Sequence, residues 1–107
     1  MEEFMKQSQQ YEQDKKEFLN LLYNFVLSED ITTEERRVIT KAKDLIEQGE
    51  YIVVVIRRLE RTLAIKSMSE KRSPKIDDLY KKLPDLIYNF TIYPYTYGIF
   101  GEIITLL

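Results

Sequence analysis

Residues 51–68, YIVVVIRRLERTLAIKSM, admit two readings, and the choice between them decides the fold. Ile52, Val53, Val54, Val55 and Ile56 are all β-branched, a run that by propensity suits a strand. Carried further, however, Ile52, Val55, Ile56, Leu59 and Leu63 keep the three-and-four spacing of one helical face, while Arg57, Arg58, Glu60 and Arg61 fill the remainder. A lone strand between helices would also have no partner for its backbone groups. The periodicity therefore predicts a helix over 51–68, and the segments on either side follow suit.

Upstream, Thr32 to Glu35 reads as a capping box. A Thr hydroxyl can accept from the N3 amide while the N3 carboxylate reaches back to the cap. Val38, Ala42, Leu45 and Ile46 then share a face, and Gly49 stands where a left-handed residue ends a helix, which predicts a helix over 33–48. Before the polar break Ser28, Glu29 and Asp30, the residues Phe18, Leu21, Leu22 and Phe25 form one stripe. It thins backwards to Tyr11 and Phe4, predicting a helix over 4–27 whose first turns overhang the core.

Downstream, Ser73 followed by Pro74 is a helix start, with a cap side chain and a proline at the first helical position. Ile76, Leu79, Tyr80 and Leu83 supply a fourth stripe, and Pro84 is expected to kink or end it, giving a helix over 74–83 and a tail over 84–107. Four amphipathic helices with short connections favour an all-α fold, an antiparallel up-down four-helix bundle with an aromatic-rich C-terminal tail, in a single domain 1–107.

Composition narrows the function. The chain of 107 residues has neither Cys nor His, which excludes a disulfide framework, a thiolate zinc site and the commonest general base. The stretch from Met1 to Gln13 is polar and acidic, without the basic start and apolar run of a secretory signal, so a cytoplasmic location is expected. Charge is unevenly placed. Residues 1–56 hold seven Lys and Arg against twelve Asp and Glu, whereas residues 57–82 hold nine against four, and 83–107 carry only Asp85 and Glu102. The basic segment suits phosphates, anionic lipid or an acidic protein surface, or else is a set of solvated helix faces.

The last 22 residues, Leu86 to Leu107, crowd together Tyr88, Phe90, Tyr93, Tyr95, Tyr97 and Phe100. A transmembrane helix fits them poorly because of Pro94, Gly98, Gly101 and the polar hydroxyls. Two other readings stand: a tail covering an open end of the bundle, or an aromatic contact surface for a membrane partner or the lipid interface.

No chemistry-bearing constellation is apparent. Glu34 with Glu35, and Asp77 with Asp78, are sequence neighbours that point about 100° apart on a helix, so capping and solvation explain them better than a shared catalytic site. A phosphate-binding loop, a metal spacing and a nucleophile elbow are all missing, so neither an enzyme, nor a cofactor, nor a small-molecule substrate is expected. Nucleic-acid binding through Arg57, Arg58, Arg61, Lys66, Lys71, Arg72 and Lys75 is the sharper rival, but the acidic first half and a net charge of −2 count against it. A small helical adaptor that pairs with another helix stays open beside it.

Thr33, Glu34, Glu35 and Arg36, then Ala42, Lys43, Glu47 and Gly49, Leu59, Leu63 and Ala64, and Ser73, Pro74, Leu79, Tyr80 and Lys81 appear in this order and spacing. Over Lys16 to Leu83 the chain thereby resembles the immunity proteins of pediocin-like (class IIa) bacteriocins, of the enterocin A immunity type. That resemblance implies a cytoplasmic four-helix bundle, peripheral at the inner face of the membrane, that protects a bacterium from a pore-forming peptide without hydrolysing it. It implies as partners the membrane components of the mannose phosphotransferase system with bacteriocin engaged, and it assigns specificity to the C-terminal half. The expected binding surface comprises Arg57, Arg61, Arg72, Lys75 and Tyr80, with Tyr93, Tyr95 and Tyr97 as further contacts. The cations would orient the protein on an anionic surface, and the aromatics would anchor it.

Overall fold

The structure, a computed structural model, describes residues 2–66, 71–91 and 106–107, with side chains from residue 9 onward except that of Lys66. Among these residues the chain forms four helices, α1 (Glu2–Val26), α2 (Thr33–Glu47), α3 (Ile52–Lys66) and α4 (Pro74–Thr91), and they pack as an all-α four-helix bundle. The hairpin directions are visible in the side chains. Lys75 at the start of α4 bonds Asp30 just beyond α1, while Phe90 at the end of α4 meets Tyr11 in the first half of α1, so α1 and α4 run antiparallel.

The β-branched run Ile52 to Ile56 is helical. Ile52, Val53, Val55 and Ile56 are all buried, along with Leu59 and Leu63 on the same helix. β-branched residues are at most about 0.7 kcal/mol poorer than Ala in a helix. Burying each such side chain returns roughly 1.5–3 kcal/mol, so tertiary packing decides the conformation. Phe18 and Leu22 of α1, Val38, Ile39 and Ile46 of α2, and Ile76, Leu79, Leu83 and Phe90 of α4 complete one core shared by all four helices.

Side chains from neighbouring segments close the helix ends. Thr32 caps α2 through its hydroxyl, which accepts from the Glu35 amide at 3.1 Å, and Glu35 accepts from the Thr32 amide at 2.8 Å. At the other end of α2, Gly49 takes φ +97°, and the amides of Gly49 and Glu50 bond the carbonyls of Ile46 and Leu45. Arg36 reaches back to the carbonyls of Val26 and Ser28, satisfying acceptors left over where α1 ends.

The largest departure from the expected helix boundaries is at the end of α4. Pro84 neither ends α4 nor begins a tail: the helix continues through it to Thr91. The apolar spacing Ile76, Leu79, Leu83, Leu86, Ile87 and Phe90 persists past the proline, with Phe90 buried and Leu86 and Ile87 packed against the core. A proline inside a helix costs about 3 kcal/mol, and burial of these three side chains on the far side exceeds that. Pro84 itself is exposed, so the Tyr80 carbonyl that loses its amide partner lies on the solvent side of the helix. The start of α1 at Glu2 likewise precedes the expected Phe4.

Leu106 and Leu107 lie against α3. The Leu107 amide donates to the hydroxyl of buried Thr62 at 3.0 Å, and the Arg58 guanidinium donates to the Leu106 carbonyl at 3.2 Å. Among the described residues no helix is long and apolar enough to cross a membrane. Most of the aromatic stretch weighed for that role, residues 92–105, lies outside the described residues.

Candidate functional site

The structure distributes the expected surface residues over three places. Arg57 and Arg61, one turn apart on α3, line a groove of about 420 Å³ with Glu60 and, from α4, Pro84 and Ile87. Both arginines are exposed, and neither has an ion-pair or hydrogen-bond partner among the described residues. Tyr88, 68% exposed, follows one turn after Pro84 on the same side of α4.

Arg72 and Tyr80 are brought together at the opposite end of the hairpin, in an arrangement that holds the fold. The Arg72 guanidinium stacks on the Tyr80 ring at 3.9 Å from its centroid, donates to Asp77 Oδ1 at 3.0 and 3.1 Å, and donates to the Leu63 carbonyl at 3.2 Å. Leu63 is in the last turn of α3, where carbonyls lack helical partners, so one side chain closes α3 and ties it to the first turns of α4. Asp77 also receives Lys81, and the hydrogen bonds from Lys81 and then Arg72 hold its carboxyl below the usual carboxylate range.

Lys75 stands apart from both. Its ammonium pairs with Asp30 at 2.9 Å and bonds the Ser28 hydroxyl at 3.2 Å, on the rim of a second groove of about 300 Å³ between α1 and α4. Tyr93, Tyr95 and Tyr97 lie outside the described residues. The expected basic surface is thus not one contiguous patch. Its exposed and unpaired part is the Arg57–Arg61 groove, and Arg72 with Tyr80 is engaged within the bundle.

Sequence reasoning missed Glu60 and Ile87 as groove residues, although the signal was present. Glu60 sits three residues after Arg57 and Ile87 three after Pro84, the spacing of neighbours on a helix, but Ile87 could be placed only by carrying α4 through the proline. A second omission is Glu35. Its buried carboxylate takes the Ser73 amide at 2.9 Å and the Ser73 hydroxyl at 2.6 Å in addition to the Thr32 amide, joining the starts of α2 and α4. Burial pushes its pKa up, but the hydrogen bonds from Ser73 and Thr32 together outweigh that and leave it below the ordinary value.

Several of the residues that carry the family resemblance therefore have a structural account: Glu35 and Ser73 meet, Pro74 opens α4, Gly49 ends α2 and Leu59, Leu63 and Leu79 are core. Neither a curated protein nor a solved structure matches the chain. A family model, that of the bacteriocin immunity protein family, matches residues 13–88, from within α1 to near the end of α4. With that match spanning well over half of its length, the chain belongs to the bacteriocin immunity protein family, of the enterocin A immunity type.

Proposed function

We propose that this immunity protein protects the cell by binding the bacteriocin-engaged membrane receptor from the cytoplasmic side, without catalysis. The receptor is taken to be the membrane components of the mannose phosphotransferase system, as the family resemblance implies. The observation that carries the reading is the Arg57–Arg61 pair: two exposed cations without partners among the described residues, set over apolar Pro84 and Ile87, in the half of the chain to which the resemblance assigns specificity. Unpaired guanidinium groups cost nothing to detach from an internal partner, and so, among the four cations of the expected surface, Arg57 and Arg61 are more available to an outside partner than Arg72 and Lys75. Arg72, Lys75 and Tyr80, with Tyr93, Tyr95 and Tyr97, complete the proposed surface. Arg72 and Tyr80 serve it mainly by fixing the shape of the hairpin.

The test is survival of a bacteriocin-sensitive strain expressing the full chain, challenged with a panel of pediocin-like peptides. Selective survival, lost in R57E/R61E while helicity by circular dichroism is unchanged, is the expected result. Absence of protection against every peptide, with soluble expression verified, overturns the receptor reading. Full protection by the charge-reversed variant removes the arginine pair from the surface.

A further inference from the structure

We infer that the Arg57–Arg61 groove is a site for the phosphodiester of an anionic phospholipid, so that this face of the bundle rests on the bilayer. The inference deepens the membrane-facing reading above and depends on it only for biological context.

Three features point to a lipid surface. Arg57 and Arg61 are one helical turn apart, a separation that lets two guanidinium forks converge on one phosphate from the same side. Pro84 and Ile87 give the groove an apolar wall on α4, where the glycerol and upper acyl carbons next to a headgroup can lie. Tyr88, one turn beyond Pro84 on α4 and outside the groove lining, is 68% exposed, and a tyrosine with an apolar ring and a wet hydroxyl is a typical interfacial side chain.

The same residues argue against a polyanion. Glu60 lines the groove between the two arginines in sequence, lowering its net charge to +1, and the first 56 residues carry a net −5. A nucleic acid presents a dense row of phosphates, whereas this groove has cations for one. A bilayer presents separate phosphates above an apolar layer, which is what two arginines over Pro84 and Ile87 complement.

The experiment is co-sedimentation of the full chain with vesicles of phosphatidylcholine alone, and with vesicles of equal parts phosphatidylglycerol and phosphatidylcholine. Binding to the second and not the first is expected, weakening as salt is raised. The substitution R57A/R61A is expected to lower the partition coefficient about 30-fold, on the usual contribution of two cations near an anionic surface. R57K/R61K, which keeps both charges but not the guanidinium forks, retains only part of the binding, and K41A, which removes an exposed cation from α2, leaves it unchanged. Equal pelleting with both vesicle types, or retention of binding by R57A/R61A with unaltered helicity, overturns the inference. Failure here, with protection intact in cells and lost in R57E/R61E, overturns the lipid site and leaves the arginines to receptor protein instead. Vesicle binding without protection leaves the lipid site standing and removes the receptor reading.

Discussion

Glu35 on α2 accepts two hydrogen bonds from Ser73, one from its amide at 2.9 Å and one from its hydroxyl at 2.6 Å, across 38 residues of sequence. Since the same carboxylate closes the capping box with Thr32, one buried anion serves the starts of both α2 and α4. Removing it strands the Thr32 amide, the Ser73 amide and the Ser73 hydroxyl. The expected cost of Glu35→Ala is about 3 kcal/mol, since hydrogen bonds to a charged group contribute about 1.5–3 kcal/mol each and water recovers part of the loss. Glu35→Gln, which keeps acceptor capacity but not charge, is expected to cost about half as much. Urea unfolding followed by circular dichroism measures both. A change below the error of the fit for Glu35→Ala would show that the anion is replaceable by water.

The same residue sets a pH dependence. The folded-state pKa of Glu35 is depressed below its ordinary value of 4.5, so in acid the unfolded chain takes up the proton first. Its contribution to stability is therefore fully present above pH 4.5 and declines as the pH falls through the folded value. Asp77, also depressed, acts with the same sign, though its exposure screens the effect. Urea midpoints measured from neutral pH into the acid range should fall below the ordinary carboxylate range, and Glu35→Gln should flatten that decline. An unchanged slope in the variant would assign the acid sensitivity to other carboxylates.

The course of α4 beyond Pro84 gives a third expectation. Phe90, 2% exposed, meets Tyr11 edge to face with ring centroids 5.9 Å apart, and this contact holds the end of α4 on the first half of α1. Phe90→Ala should cost about 3–5 kcal/mol, the usual range for emptying a buried aromatic site. It should also reduce helical ellipticity, because burial of Leu86, Ile87 and Phe90 is what offsets the proline. Replacing Pro84 by Ala, in contrast, restores an amide to the Tyr80 carbonyl and should stabilise by about 1–2 kcal/mol, part of the gain being lost to a freer unfolded chain. A destabilising Pro84→Ala would mean that the ring itself packs where the groove lies.

What was legible in the sequence was local. The capping box, Gly49 after α2, and Ser73 with Pro74 each lie within a few residues of the end they define, and the fully apolar spacing of α3 outweighed its β-branched composition. The Glu35–Ser73 bond was not legible, because each residue already had a sufficient local role and nothing in one dimension links positions 35 and 73. Pro84 misled for the complementary reason. There the local rule that proline ends a helix yields to distant burial, Phe90 against Tyr11. In the candidate surface, sequence could name the cations but not sort them, since whether an arginine is engaged depends on partners such as the Leu63 carbonyl that carry no side-chain signature.

That sorting yields the last expectation, a contrast between two arginines of one hairpin. Arg72 has its guanidinium between Asp77, the Leu63 carbonyl and the Tyr80 ring, with its side chain 17% exposed, so Arg72→Ala breaks a helix closure, an ion pair and a stacking contact together. A loss of about 2 kcal/mol is expected. Arg57, exposed and unpaired among the described residues, should change stability by less than about 0.5 kcal/mol when replaced by Ala. If both substitutions lower protection in cells, only the one at Arg57 reports on contact with a partner, because it leaves the fold as it was. Denaturation midpoints measured beside survival separate the two. Equal destabilisation by both would mean that Arg57 is held within the fold, and its claim to the binding surface would lapse.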